Sequence, residues 1–325
     1  MDFSKRYAIY CSRIDRYLAK CVHEQYPETV YEPVKYVLAG GGKRIRPVLV
    51  ILSCEAVGGT MKRALHAATA IEILHNFTLV HDDIMDHANS RRGRPTVHVK
   101  WDSNIALLSG DVLLALAYRT LLRTRSPHIQ KISDTFTEGV IEVCEGQGYD
   151  KEFETSKHVT MNDYLRMIGK KTGKLVSAST VIGALIGNAN ATYLRALHYY
   201  GALVGRAFQI QDDLLDIVAN EAEFGKKIGG DLLEGKKTFL LLAALQRASG
   251  KDKKLLDELV KNHGIPARLI PRFREIYHNT GAVEMARRHI LGDIRRAMAQ
   301  LQLLPSSPAR SMLQWLTDRL LNRTY

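Results

Sequence analysis

Cysteine is scarce in this chain. Its 325 residues include only Cys11, Cys21, Cys54 and Cys144, and no two of them have Cys-x-x-Cys spacing. These scattered positions exclude a cysteine zinc cluster and argue against a disulfide framework. Because free thiols are typical of a reducing compartment, the sequence predicts a cytoplasmic protein.

Long hydrophobic runs are also absent. The longest nearly apolar stretch, residues 175–187, contains serine and threonine and is too short for a helix to cross a bilayer. The opening residues, MDFSKRYAIY, lack the apolar segment of a secretory signal. We therefore expect a soluble protein with no transmembrane segment.

A β-strand pattern is missing as well. No clear run alternates apolar with polar residues, and no linker divides the chain. Apolar residues instead recur at intervals of three and four, beginning with Phe3, Tyr7 and Tyr10, which indicates amphipathic helices. The pattern predicts an all-α fold, a single large helical bundle over residues 1–325 with a polar central cavity.

Acidic residues are fewer than basic ones. The chain has 46 lysines and arginines against 34 aspartates and glutamates, a formal net charge of +12, and 46% of its residues are hydrophobic. That balance fits a globular protein with an anionic partner, such as a nucleic acid, a membrane surface or a phosphorylated substrate. No nucleic-acid-binding motif accompanies the charge, so we expect no nucleic-acid partner.

Three carboxylates cluster at the end of a helix predicted over residues 61–88. Asp82, Asp83 and Asp86 have i, i+1, i+4 spacing, which places Asp82 and Asp86 on one face. Like charges this close repel unless a cation neutralises them. Mg²⁺ binds carboxylate oxygens and keeps other positions for water and phosphate. A lone cluster of this kind is more often a solvated helix end.

A second copy of the motif favours the metal hypothesis. Asp212, Asp213 and Asp216 repeat the spacing within the apolar sequence of a helix predicted over residues 191–219. Carboxylates in such surroundings are costly unless they are paired or bound to metal. Together the two motifs predict two acidic walls across a cavity, with metal ions between them that hold a polyanion.

Cationic residues accompany the first motif. The turn RRGRP at residues 91–95 follows it, and upstream a run of three glycines precedes Lys43 and Arg46 at a predicted helix start. Backbone amides and cations at such a start can bind phosphate. His75 lies about two turns before Asp82 and shares its face. The alternatives are a glycine helix stop, solvated cations and a packed histidine.

Two later segments carry cations beside glycines. A predicted helix is interrupted at residues 169–173 (GKKTG), where Lys171 and Thr172 mark either a ligand contact or an ordinary kink. Further on, a charged, glycine-rich segment carries Lys226 and Lys236. We interpret this segment as a flap over the acidic cavity, and a solvated surface loop is the alternative.

These motifs, taken in order, resemble those of the trans-isoprenyl diphosphate synthases, also called polyprenyl synthetases. The matching segments cover most of the chain and are GGKRIRP at 41–47, DDIMD at 82–86, RRGRPT at 91–96, KTG at 171–173, FQIQDDLLD at 208–216 and GKKIGGDLLEGKKT at 225–238. The resemblance implies a helical bundle of the isoprenoid synthase type and a head-to-tail prenyl transfer. In that reaction an allylic diphosphate loses diphosphate, and isopentenyl diphosphate attacks the allylic carbon.

The same resemblance implies a role for each candidate residue. Mg²⁺, about three ions in each active site, would bind Asp82, Asp86 and Asp212, with support from Asp83, Asp213 and Asp216. The allylic diphosphate would contact Arg91, Lys171, Lys226 and Lys236, and isopentenyl diphosphate would contact Lys43, Arg46, His75 and Arg92. Thr172 and Gln209 resemble the polar groups near the allylic cation. The released diphosphate would take the final proton, and the family suggests a homodimer.

Product length is inferred from residues just before the first motif. Phe77 is the fifth residue before Asp82 and Thr78 the fourth, a combination that resembles geranylgeranyl-forming members of the family. A helical wheel puts Phe77 about 140° from Asp82, so its place at the floor of the product cavity follows from the resemblance alone. Farnesyl and longer products remain alternatives. The first motif lacks the two-residue insertion of one class of farnesyl synthases.

Other classes of protein share part of this inventory. A class I terpene cyclase has the same fold and first motif, but its second motif usually mixes Asn, Ser or Thr with Glu. His81 and Asp82 suggest an HD-type phosphohydrolase, which would leave the second motif unexplained. A non-catalytic partner subunit of a synthase is a further alternative, and two intact acidic motifs argue against it.

Overall fold

Helices form most of the described chain, which covers residues 2–218 and 228–321 of a computed structural model. The N-terminal helices are α1 (Phe3–Leu18), α2 (Glu28–Leu38), α3 (Ile45–Ala56), α4 (Met61–Met85), α5 (Val97–Lys100) and α6 (Ser103–Leu121). Strands β1 (Ser90–Arg91) and β2 (Arg94–Pro95) pair antiparallel between α4 and α5. Within the described ranges this hairpin is the only sheet, which confirms the predicted all-α class.

The C-terminal part continues the helical pattern. Its elements are α7 (Ile129–Thr155), α8 (Met161–Ile168), a π-helical turn (Gly169–Gly173), α9 (Lys174–Ile186), α10 (Ala191–Val218), α11 (Gly230–Leu233), α12 (Phe239–Arg247), α13 (Gly250–Asn262), a 3₁₀ turn (Ala267–Leu269), α14 (Ile270–Asn279), α15 (Ala282–Leu301) and α16 (Pro308–Leu321). The π-helical turn lies where the sequence predicted an interrupted helix.

The chain divides into two compact units. The first comprises Met1–Glu138, Ala178–Leu197 and Leu303–Leu313, and the second comprises Gly139–Ser177, His198–Gln302 and Gln314–Tyr325. The first acidic motif belongs to the first unit and the second motif to the second unit. The interpretation of residues 1–325 as one domain stays a prediction.

Helix α4 is the centre of the first unit. Ala67, Ile71 and Ile73 are fully buried, and buried residues surround the helix instead of following one stripe. A helix that is apolar on all sides is buried on all sides. It packs against α3 and α6, and its C-terminal end carries the first acidic motif.

The core of the second unit lies under the second acidic motif. Tyr164, Phe239, Phe273 and Tyr277 are buried there together with Leu214 of α10. Since α10 contributes apolar side chains to this core, the carboxylates on the same helix are held at its edge in a fixed rotation. The aromatic residues therefore determine where the second motif lies.

Helix α6 is a candidate for a membrane span that the sequence reasoning overlooked. It is 19 residues long, has a mean hydropathy of 1.2, and 44% of the span is buried. Length and composition alone are weak evidence, because core helices of globular proteins meet the same criteria. Here α6 packs along α4 and α2 within the first unit, as a core helix does.

Candidate functional site

The first acidic motif occupies the end of α4. Asp86 is the C-cap residue, and its backbone N–H donates to the carbonyl of Asp82 across 2.8 Å. Asp82 is half-buried and Asp86 is exposed, whereas Asp83 is only 5% exposed. The helix ends there because His87 has a left-handed φ of 49°. Asp82 and Asp86 are therefore one helical turn apart at the end of α4, as their spacing predicted.

The hairpin after α4 positions the cationic turn. Arg92 and Gly93 have φ angles of 54° and 72°, and two central residues with positive φ are what a tight two-residue β-hairpin requires. The hairpin brings the Nε of Arg91 to 2.7 Å from Oδ1 of Asp83, to which it donates. Arg91, predicted to contact the allylic diphosphate, therefore binds Asp83, predicted to support magnesium. The short strands carried no pattern by which the sequence could have shown this pair.

The residues predicted to bind isopentenyl diphosphate lie around one loop. Arg92 donates a hydrogen bond to the carbonyl of Gly41, two residues before the exposed Lys43. Arg46 donates from Nη1 to Nε2 of His75 across 3.1 Å. Burial, followed by the nearby arginines, lowers the pKa of His75 well below its usual value, so the imidazole is neutral at pH 7. We call Lys43, Arg46, His75 and Arg92 the cation cluster.

Arg44 supports this loop and was missed by the sequence reasoning. Its side chain is buried, its φ is 50°, and it donates to Asp15 across 2.8 Å and to Glu72 across 2.5 Å. Two carboxylates compensate the buried guanidinium. Tyr7 also donates to the carbonyl of Lys43. The sequence signal is the order of Lys43, Arg44 and Arg46 in GGKRIRP. Neighbouring side chains of a loop point in different directions, so not all three cations can face one ligand.

A cleft lies beside the hairpin in the first unit. Its polar lining includes Arg91, Arg92 and Arg94, and its apolar lining includes Leu79, Val80 and Val97. Arg94 lies over the ring of Tyr36, 3.8 Å from its centroid. A cleft lined by both arginine and aliphatic side chains suits an anion with a short apolar tail.

Phe77 lies on α4, away from the cation cluster. Its side chain is 7% exposed, and its ring centroid is 4.7 Å from that of His81. Because Phe77 lies four residues before His81, both rings share one side of the helix. The role of Phe77 in product length stays a prediction.

The middle carboxylate of the second motif is held by protein donors. Asp213 is 7% exposed, and it accepts from the hydroxyl of Tyr164 across 2.6 Å and from Nε2 of Gln209 across 3.0 Å. Burial raises the pKa of Asp213 to about 6, so its carboxylate is still the main form at neutral pH. Asp212, its neighbour, is half-buried.

The third carboxylate of the motif caps a short helix. The oxygens of Asp216 accept the backbone N–H groups of Gly230 and Asp231 at the start of α11. Burial, then the charges of Asp213 and Asp216, raises the pKa of the Asp231 carboxyl well above its usual value. Asp231 thus extends the second acidic motif. Its sequence signal is the aspartate directly after Gly229-Gly230.

The π-helical turn is held between two helices at glycine contacts. A Cβ on Gly146 of α7 would lie 2.2 Å from the backbone nitrogen of Lys171, and one on Gly205 of α10 would lie 2.7 Å from Cα of Gly173. π-Helical turns occur frequently at functional sites. In this turn Lys171 forms an ion pair with Asp150 across 2.6 Å, and Thr172 donates to Oε1 of Gln209 across 2.8 Å.

Of the two lysines predicted on the flap, the structure describes Lys236. Lys226 lies outside the described residues. Lys236 follows α11 and forms ion pairs with Glu234 across 2.7 Å and with Asp231 across 3.9 Å. The structure therefore places Lys236 beside Asp231 of the extended second motif.

The donor set fits magnesium in its chemistry. Among residues 2–218 and 228–321, no three acidic, histidine or cysteine side chains converge as a preformed metal site. The two motifs nevertheless offer oxygen donors alone, which hard cations prefer. Burial raises the pKa of both Asp216 and Asp231, which means that their charged forms are disfavoured without a partner. A bound cation would stabilise those charged forms.

Known proteins are similar to this chain over nearly its whole length. Residues 27–272 match the family model described as polyprenyl synthetase. The short chain isoprenyl diphosphate synthase of Methanothermobacter thermautotrophicus is 38% identical over 100% of this chain and 99% of its own. The geranylgeranyl diphosphate synthase of Methanosarcina mazei is 36% identical over 97% of this chain and 96% of its own. The crystal structure of geranylgeranyl pyrophosphate synthetase from Pyrococcus horikoshii is 37% identical, with a TM-score of 0.93 over 99% of this chain and 98% of that chain.

Proposed function

The chain belongs to the polyprenyl synthetase family, as its motifs predicted, and we propose that it joins isopentenyl diphosphate to an allylic diphosphate. The observation that carries this proposal is the cation cluster around one loop, next to a cleft with both cationic and aliphatic walls. Isopentenyl diphosphate has a polyanionic head and a short apolar tail, so both of its parts find matching surroundings there.

The cation cluster would bind isopentenyl diphosphate. Arg46 and Arg92 offer planar guanidinium groups that suit phosphate oxygens, and Lys43 offers a third positive charge. Because Nε2 of the neutral His75 accepts from Arg46, its Nδ1 carries the proton and is the ring's donor. Each of these groups can donate a hydrogen bond to the diphosphate.

The π-helical turn would contact the allylic substrate. Lys171, Lys236, Lys226 and Arg91 are the proposed contacts of its diphosphate. The oxygens of Thr172 and Gln209 carry negative partial charge, and they would stabilise the allylic cation once diphosphate departs. Departure and attack leave one proton in excess, which the released diphosphate would accept.

Magnesium would bind Asp82, Asp86 and Asp212, with Asp83, Asp213 and Asp216 in support. When bound, it neutralises the negative charge that develops on the departing diphosphate. About three ions in each active site remain our expectation. Asp83 accepts a hydrogen bond from Arg91, and Asp213 accepts one from Tyr164.

We propose geranylgeranyl diphosphate as the main product. Support comes from Phe77 and Thr78 before the first motif and from the relatives named above. Farnesyl diphosphate and longer products are the alternatives, since the cavity floor is assigned by resemblance. A non-catalytic partner subunit is the alternative from another class.

The same family membership supports a proposal for assembly and location. We propose a homodimer, a cytoplasmic location and a single functional domain over residues 1–325. Sedimentation at micromolar concentration tests the first of these: a dimer is expected, and a monomer would contradict it.

The decisive experiment for the activity uses purified protein and labelled isopentenyl diphosphate. Dimethylallyl, geranyl and farnesyl diphosphate are supplied separately with Mg²⁺, and the products are dephosphorylated and separated by chromatography. We expect label in a twenty-carbon alcohol. No incorporation with any primer would overturn the proposed activity and favour a partner subunit.

A further inference from the structure

A continuous series of hydrogen bonds runs through the second unit. Tyr164 donates to Oδ2 of Asp213 across 2.6 Å, and Gln209 donates from Nε2 to Oδ1 of the same carboxylate across 3.0 Å. Thr172 donates to Oε1 of Gln209 across 2.8 Å. The series joins α8, α10 and the π-helical turn, and we call it the Tyr164 relay.

The direction of every bond in the Tyr164 relay follows from Asp213. A carboxylate only accepts hydrogen bonds, so Gln209 must turn its NH₂ group towards Asp213 and its oxygen towards Thr172. The Thr172 hydroxyl then donates its hydrogen to Oε1 of Gln209. Oγ1 of Thr172 and Oε1 of Gln209 each keep a lone pair for a further contact.

Tyr164 is the fixed end of this series. Its side chain is 1% exposed, and its ring packs edge-on against Phe239 with 6.1 Å between centroids. A carboxylate has no hydrogen to give, so the Tyr164 hydroxyl is the donor in its bond to Asp213.

We propose that Tyr164 is a positioning residue which, through Asp213, orients the oxygens of Gln209 and Thr172 towards the allylic cation. The inference rests on the proposed function, because it takes these two side chains as the neighbours of that cation. Without the Tyr164 hydroxyl, Asp213 can rotate and the Gln209 amide can turn over. The NH₂ group would then present positive partial charge to the cation, and the transition state would lose stabilisation.

The test compares Tyr164→Phe with Tyr200→Phe in the full-length chain. Tyr200 is a matched control, because it is 0% exposed and its hydroxyl lies 2.7 Å from Oγ1 of Thr317 in the same unit. Two unreactive ligands are used with Mg²⁺. One is an ammonium analogue of the allylic cation with added diphosphate, and the other is an allylic thiolodiphosphate without the positive centre.

We expect Tyr164→Phe to weaken binding of the ammonium analogue roughly tenfold and to lower kcat by a similar factor. Binding of the thiolodiphosphate and both KM values should change less than about twofold, because ground-state contacts remain. Tyr200→Phe should lose comparable thermal stability and leave the preference between the two ligands unchanged.

The inference would be overturned if Tyr164→Phe weakened the binding of both ligands equally, or if Tyr200→Phe changed the ligand preference as much as Tyr164→Phe does. An active wild-type protein would still support the proposed function in either case. An inactive wild-type protein would instead overturn the proposed function. If Tyr164→Phe does not fold, 4-fluorophenylalanine at position 164 fills the space of the hydroxyl but cannot donate a hydrogen bond to Asp213. A changed ligand preference then supports the inference, and an unchanged preference overturns it.

Discussion

Arg91 and Asp83 meet across 2.7 Å and bind the hairpin to the last turn of α4. Asp83 is the middle carboxylate of its motif, and its counterpart Asp213 is likewise held by protein donors. The two acidic motifs thus share more than their spacing. In both, the i+1 carboxylate is buried and accepts a hydrogen bond from a neighbouring side chain.

The Arg91–Asp83 pair should stabilise the first unit. Arg91→Gln leaves a buried carboxylate without its charged partner, and we expect a loss of about 1–3 kcal/mol, reduced from the fully buried case because Arg91 is partly exposed. Urea unfolding measures this loss. The double variant Arg91→Gln/Asp83→Asn should recover part of it, and no recovery would show that the pair is not coupled.

The glycine contact at the π-helical turn should be necessary for activity. A methyl group at position 146 collides with the Lys171 backbone, so Gly146→Ala should displace Lys171 and Thr172 and reduce kcat at least about tenfold. Gly148→Ala is the matched control, because nothing lies within 4 Å of a Cβ at that position of the same helix. The control should retain activity and gain up to about 1 kcal/mol of stability. Equal activity of both variants would contradict the contact.

Removal of the metal should abolish prenyl transfer. We expect no turnover in chelator, and only residual turnover for Asp82→Ala or Asp212→Ala, because the negative charge of the departing diphosphate would not be neutralised. Circular dichroism should show that both variants keep their helical content. Full activity in chelator would refute the metal dependence.

Truncation at Phe77 should lengthen the product. If Phe77 forms the cavity floor, Phe77→Ala opens space without touching a carboxylate, so products longer than twenty carbons should appear with farnesyl diphosphate as primer. A buried aromatic truncation costs up to about 3–5 kcal/mol, and less where a ligand fills the space. An unchanged product distribution would mean that Phe77 is a core residue.

The neutral state of His75 should make stability depend on pH. Its pKa is lowered on folding, so as the pH falls below about 6.5 the unfolded chain takes up the proton first. The free energy of unfolding should then fall by up to about 1.4 kcal/mol for each pH unit. His75→Gln should remove this part of the pH dependence. Parallel stability curves for wild type and His75→Gln would contradict the prediction.

The sequence by itself determined the all-α class, the family and the two acidic motifs. Helix periodicity is a local property, and so is the i, i+1, i+4 spacing that places Asp82 and Asp86 on one face. The interruption at residues 169–173 was also predictable, since glycines flank two lysines inside an apolar helix. These features depend on neighbours within a few turns, which the order of residues alone specifies.

Only the tertiary structure decided which partners those residues have. Asp213 meets Tyr164 from another helix, Arg44 is neutralised by Asp15 and Glu72, and Asp231 joins the second motif. The burial that shifts the pKa values of His75 and Asp213 likewise arises from packing between distant segments. A linear pattern shows which groups can donate, accept or carry charge, but which of them become partners depends on helices that meet in space, because hydrogen bonds act over only about 3 Å.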